Sequence, residues 1–134
     1  MADKNASDYI YDRFGAVKLE LIHSSSVFYE YLSGKPIGFI GNNDAVYNYS
    51  GVQVGWYEGG ILRDVNGAVV GFNDRPTDSP RPFLPFKQYR PYAPYKQYAP
   101  YKPYPQLPRF KPFKQYAWSN ISPDVLFNPE EWSS

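Results

Sequence analysis

The sequence of 134 residues contains no cysteine, one histidine and one methionine. Without cysteine there are no disulfide staples and no thiolate metal site. The single histidine, His23, lies in the joint His23-Ser24-Ser25-Ser26 and reads as a solvated loop residue. A nucleophilic triad needs its base held across from the hydroxyl by a third group, and adjacency along the chain does not supply that. Glycine-rich phosphate loops and metal-ligand spacings are both missing. No apolar run approaches the roughly 18 residues of a membrane span, and the N-terminus MADKNASDYIYDRF has no signal-peptide core, so a cytoplasmic protein is the default expectation. The sequence therefore offers no catalytic residue, no metal ligand and no cofactor site, and it does not read as an enzyme.

Acidic residues are missing from one stretch only. Residues 81–116 carry eight basic side chains and no acid, whereas residues 1–80 hold six basic against ten acidic, and residues 117–134 add three acids. A near-neutral total thus hides an acidic head and a basic tail. The two attract each other, within one molecule or between neighbours, and salt weakens that attraction.

Residues 8–73 repeat. The pattern Gly-x-x-x-Gly-aromatic occurs as Gly34-Lys35-Pro36-Ile37-Gly38-Phe39, Gly51-Val52-Gln53-Val54-Gly55-Trp56 and Gly67-Ala68-Val69-Val70-Gly71-Phe72. A first copy, Gly15-Ala16-Val17-Lys18-Leu19, has lost the second glycine. A tyrosine-rich or aliphatic segment precedes each copy: Tyr9-Ile10-Tyr11, Val27-Phe28-Tyr29-Glu30-Tyr31, Val46-Tyr47-Asn48-Tyr49 and Ile61-Leu62. Strand, tight turn, strand is the reading for each, and together they predict an all-β domain of about eight short strands. Asn66-Gly67 is the strongest turn signal, since both residues tolerate the positive φ of a two-residue hairpin loop. Glycine inside a strand costs stability unless a neighbour approaches the backbone closely, so the second glycines suggest a seam where hairpins crowd. Asp12 and Asp64 occupy equivalent turns and read as turn-stabilising side chains in preference to a catalytic carboxylate pair.

The run Gly51-Val52-Gln53-Val54-Gly55-Trp56-Tyr57-Glu58-Gly59-Gly60-Ile61-Leu62-Arg63-Asp64-Val65-Asn66-Gly67 resembles the small bacterial domain called the four-fold beta flower. Members of that family show a glycine-tryptophan step, an acidic-glycine turn and an Asp-x-x-Gly turn. Many continue into a proline- and lysine-rich tail ending near Trp-Ser, as Trp118-Ser119 does here. The resemblance implies four hairpins with pseudo-four-fold symmetry. It implies no activity.

After a linker at 74–82, residues 83–116 place an aromatic or leucine side chain on every third position: Phe83, Phe86, Tyr89, Tyr92, Tyr95, Tyr98, Tyr101, Tyr104, Leu107, Phe110, Phe113 and Tyr116. A period of three fits neither α-helix nor β-strand. With interspersed proline it predicts a polyproline II helix at ~3.1 Å per residue, a rod on the order of 100 Å long with one face paved in rings. Gln88, Gln97, Gln106 and Gln115 recur every nine residues, so each unit presents the same three faces: aromatic, basic with alanine, and proline with glutamine. The glutamines are read as supplying amide contacts to a neighbour's carbonyls. Residues 117–134 predict a cap of short helical turns, with Ser122-Pro123-Asp124 and Asn128-Pro129 as starts and Val125, Leu126, Phe127 and Trp132 as docking side chains.

Aromatic residues are depleted in disordered tails, and this one is about one-third aromatic, which favours ordered packing. The leading functional reading is a structural, self-assembling protein whose rod packs on the β head or on neighbouring subunits. Its contact residues would be the ladder rings from Phe86 to Tyr116, the four glutamines and Trp56, and its partner would be itself, as a homo-oligomer or fibre. A proline-rich ligand for a separate protein is the second reading. The third is single-stranded nucleic-acid binding, by cations interleaved with stacking rings.

Overall fold

A computed structural model describes residues 6–132; the first residues of the N-terminal segment and the last two of the cap lie outside the described residues. Eight antiparallel strands run in sequence order around a closed barrel. They are β1 (Ser7–Tyr11), β2 (Val17–Ile22), β3 (Val27–Glu30), β4 (Pro36–Ile40), β5 (Ala45–Asn48), β6 (Gln53–Glu58), β7 (Ile61–Asp64) and β8 (Val69–Phe72). Pairing of Tyr11 with Phe72 closes β1 onto β8. Closure removes the sheet edges that a 70-residue open sheet would expose.

All four hairpin turns lie at one end of the barrel, and each carries a glycine at positive φ: Gly15, Gly34, Gly51 and Gly67. The Asn66-Gly67 turn is not a two-residue loop, because only Gly67 is left-handed and four residues separate β7 from β8. Asp64 explains the longer loop. Its carboxylate accepts the Asn66 and Ala68 amides, while the Gly67 amide bonds the Asp64 carbonyl. Asp12 and Asn48 hold their own turns in the same way. In the second hairpin Ser33 donates to Glu30 and accepts the Lys35 amide.

The second glycines lie where each hairpin crowds against the next, with the Tyr47, Arg63 and Tyr11 carbonyls directly against Gly38, Gly55 and Gly71. Each follows a β-bulge. The register shifts once in every hairpin, at Ile10/Tyr11, Phe28/Tyr29, Val46/Tyr47 and Leu62/Arg63, leaving Lys18, Ile37, Val54 and Val70 as the extra residues on the opposite strand. A bulge bends its strand and sharpens the twist, which is what a small barrel needs at each corner. Gly38, Gly55 and Gly71 come directly after three of these bulges. A Cβ on Gly38 would collide with the Phe127 ring and the Tyr47 carbonyl; one on Gly71 would lie 2.8 Å from the Tyr11 carbonyl.

Inside the barrel pack Ile10, Leu19, Leu21, Phe28, Val46, Val54, Tyr57, Leu62 and Val70, joined by Leu126 and Phe127 from the C-terminal segment. Eight strands leave an interior that side chains must fill. Three of the four equivalent inward positions are glycine, so the strands alone cannot fill it. Leu19, standing where the first hairpin lost its glycine, supplies one side chain and is fully buried. Leu126 and Phe127, on a single 3₁₀ turn (Val125–Phe127), supply the rest, and a second turn spans Pro129–Glu131. Asn48 donates to the Phe127 carbonyl, which places this plug at the turn end of the barrel. Neither turn start has a side-chain cap; Ser122 bonds Asp124 instead of a turn amide.

Candidate binding surface

Residues 81–115 form no helix, strand or hydrogen-bonded turn of their own. Their backbone is satisfied by the barrel. The amides of Gln88, Gln97, Gln106 and Gln115 donate to the carbonyls of Gly15, Gly34, Gly51 and Gly67, at 2.8, 2.8, 2.9 and 3.1 Å. One nine-residue unit of the tail thus meets one hairpin turn, four times in succession. A straight rod is excluded, since the segment must touch all four turns of a closed barrel. It curves into a belt around the turn end.

Three of the glutamine side chains repeat the contact. Gln88, Gln97 and Gln115 donate their amides to the carbonyls of Phe14, Ser33 and Asn66. Gln106 departs from this rule: its side-chain oxygen accepts the Gln53 amide, and Gln53 in return accepts the Arg109 amide at 2.8 Å. The turn glycines leave no room for a Cβ. The carbonyls of Phe86, Tyr95, Tyr104 and Phe113 lie directly against them.

The basic face of the belt turns inward, onto the outer wall of the barrel. That wall is aromatic: Tyr11 stacks on Phe72, Phe39 on Tyr47, and Trp56 is 3 % exposed. Arg90 lies 4.0 Å above the Tyr9 ring, Lys102 5.6 Å above Phe39 and Lys111 5.5 Å above Trp56. The lysine ammonium groups lie over the rings, and most of them also reach carboxylates, while that of Lys102 donates to the Ser25 carbonyl. Lys96 pairs with Glu20 at 2.6 Å, Lys111 with Glu58 at 3.1 Å and Lys114 with Asp78 at 2.7 Å. Arg90 also donates to the Tyr11 hydroxyl, and that bond outweighs the opposing effect of burial and raises the Arg90 pKa. Burial in turn raises the Tyr11 pKa. The acidic head and the basic tail therefore neutralise each other within one chain.

Arg63 joins the two ends of the belt. Its side chain is 3 % exposed, and its guanidinium donates to the carbonyls of Gly67, Gln115 and Pro80, with Asp78 beside it at 3.4 Å. Burial lowers its pKa and Asp78 opposes the shift. The sequence carried a signal for this residue. In the four hairpins the residue after the register shift is Tyr11, Tyr29, Tyr47 and then Arg63, so one hairpin breaks the rule exactly where the belt closes.

With the basic face inward, the ring face points away from the barrel. Phe83, Phe86, Tyr89, Tyr92, Tyr95, Tyr98, Tyr101, Tyr104, Leu107, Phe110 and Phe113 are each 90 % exposed or more, and Tyr116 is 73 % exposed. Trp56 lies apart from them, beneath Lys111. The chain matches the model of a family described as 4-fold beta flower protein over residues 8–127. It belongs to that family. The match covers the belt and the plug as well as the four hairpins, so the beta flower unit comprises all three. Comparison with curated proteins and with solved structures finds no match.

Elsewhere the flower offers little chemistry. His23 is about half exposed and bonds Asp8 at 2.9 Å, so it is a paired residue as well as a solvated one. Asp8 also accepts from Asn73 and from Tyr57, and burial followed by the bond to Asp8 raises the Tyr57 pKa far above its usual value. No group of three metal-ligating side chains occurs among the described residues. No helix among them is long and apolar enough to cross a membrane.

Proposed function

We propose that this beta flower protein is a structural, non-enzymatic subunit that assembles with copies of itself through its aromatic belt. The observation that carries this reading is the orientation of the ladder. Eleven of the twelve ladder side chains, at three-residue intervals, are 90 % exposed or more, and Tyr116 is 73 % exposed. Monomeric proteins seldom expose apolar patches beyond a few hundred Å². At roughly 150–250 Å² per ring, the belt offers on the order of 2,000 Å². We read its winding as polyproline II, the conformation that brings every third side chain to one face without needing internal hydrogen bonds.

A second copy suits this surface because it presents the same uncharged ladder with the same period. The nucleic-acid reading has less support, since the cations it requires are engaged with the barrel wall. Lys87, Arg90, Lys96, Lys102, Lys111 and Lys114 all contact head residues. Sedimentation velocity of the intact chain across a wide concentration range tests the proposal. Association that persists in 1 M salt supports it, because the contact is apolar. A single monomeric species at the highest concentrations, or an assembly dissolved by salt, would count against it.

A further inference from the structure

The belt is chemically uneven around its circuit. Tyrosine occupies every ladder position from Tyr89 to Tyr104, whereas Phe83 and Phe86 precede that run and Leu107, Phe110 and Phe113 follow it, with a single tyrosine, Tyr116, ending the ladder. Along the chain these groups are separated by the whole tyrosine run. The fold brings them together. Arg63 bonds both Pro80 and Gln115, and Lys114 reaches back to Asp78. Phe83, Leu84 and Tyr116 line a single shallow depression with Ser79, Pro80 and Pro82. The Phe86 carbonyl sits over Gly15 in the first hairpin and the Phe113 carbonyl over Gly67 in the fourth, and those hairpins are neighbours through the β1–β8 bridge.

From this we infer that two copies of the chain pair through the phenylalanine sector, across the belt closure, and that the tyrosine sector is the weaker contact. The inference rests on the self-assembly reading above and narrows it to one face. A phenylalanine ring gains from complete removal from water, while a tyrosine hydroxyl loses solvent unless it finds a partner. Five apolar side chains at roughly 150–200 Å² each amount to about 800 Å² per copy, the size of a standard stable interface. The depression lined by Phe83, Leu84 and Tyr116 lies beside exposed rings, so each copy offers both a hollow and a ring to the other. A two-fold axis through the closure seats the Phe113 ring of each copy on the seam of the other, and such an isologous contact closes at a dimer.

The test compares two quadruple variants of the full chain by sedimentation equilibrium. One replaces Phe83, Phe86, Phe110 and Phe113 with Ser; the other replaces Tyr89, Tyr92, Tyr95 and Tyr98 with Ser. None of these side chains is buried, so both variants keep the unfolding midpoint of the parent, which is checked first. The expected result is a loss of pairing of 100-fold or more in the phenylalanine variant and less than 10-fold in the tyrosine variant. Equal weakening in both would overturn the sector inference while leaving belt-mediated assembly standing. No change in either, or a parent that never associates, would overturn both.

Discussion

Replacing Arg63 with Met separates the closure of the belt from its charge. The substitution keeps most of the side-chain volume but removes the donors that serve Gly67, Gln115 and Pro80. The Gly67 carbonyl keeps the Gln115 amide, so the carbonyls of Gln115 and Pro80 are the two that lose their partner, beside a residue only 3 % exposed. Asp78 keeps Lys114 at 2.7 Å, so the acid is not stranded. Leaving a buried polar group unpaired costs about 1–3 kcal/mol, and water reaching the seam offsets part of that for the two belt carbonyls. A total loss of about 2–4 kcal/mol follows from the two carbonyls, without the further cost of a stranded charge. With a urea slope of about 1–3 kcal/mol per molar, the midpoint falls by roughly 1–2 M. Arg63→Lys recovers little, because one ammonium cannot span carbonyls at both ends of the belt. Limited proteolysis supplies the second readout: cleavage in the variant begins at residues 79–84 and 114–118 before the barrel opens. A midpoint shift under 0.5 M (about 1 kcal/mol at the middle of that slope range) with an unchanged cleavage pattern would refute the role given to Arg63.

Three other outcomes follow from the packing and the charges. Leu126→Ala and Phe127→Ala each empty space that strand residues cannot refill, and calorimetry should register losses of about 2–5 and 3–5 kcal/mol. Gly51→Ala combines a positive φ of 81° with a Cβ 2.6 Å from the Tyr104 carbonyl. It should cost about 2–3 kcal/mol in urea unfolding, while Gly59→Ala (also at positive φ, but off the belt) leaves amide exchange of Gln106 unaltered. Raising pH destabilises the fold through its buried phenols. Burial raises the pKa of Tyr11, Tyr47, Tyr49 and Tyr57. Their unfolded forms release protons near pH 10, so stability is intact below about pH 10 and declines above it. Absorbance-monitored titration should show these phenols ionising together with unfolding; independent ionisation in the native state would contradict the burial.

Much of this architecture was legible in the chain. Four glycine-marked hairpins gave the eight strands, and the three-residue period with its charge segregation gave a tail with a ring face and a basic face. The match between four glutamines and four turn glycines was also present as a count, but its meaning needed the closed barrel. A straight rod was the natural extrapolation from a uniform period, because periodicity specifies faces and not the path of the axis. Curvature came from docking, through amides and lysines that find their partners one hairpin at a time. The bulges escaped notice for a different reason: a glycine within a strand signals close approach or a bulge, and only the pairing register shows that these positions combine the two. The role of the plug was hidden as well, since the space it fills exists only because three inward positions lack side chains.

The central claim is that the rings facing outward on one copy are covered by another. Hydroxyl-radical footprinting with mass spectrometry measures this directly on the intact chain, at a dilution where it is single and at a concentration where it is assembled. The account predicts that Phe83, Phe86, Phe110 and Phe113 react freely in the dilute sample and become protected on assembly, while the buried Tyr47 and Phe72 stay unreactive throughout. Assembled material in which the ladder rings react as fast as in the single chain would contradict it.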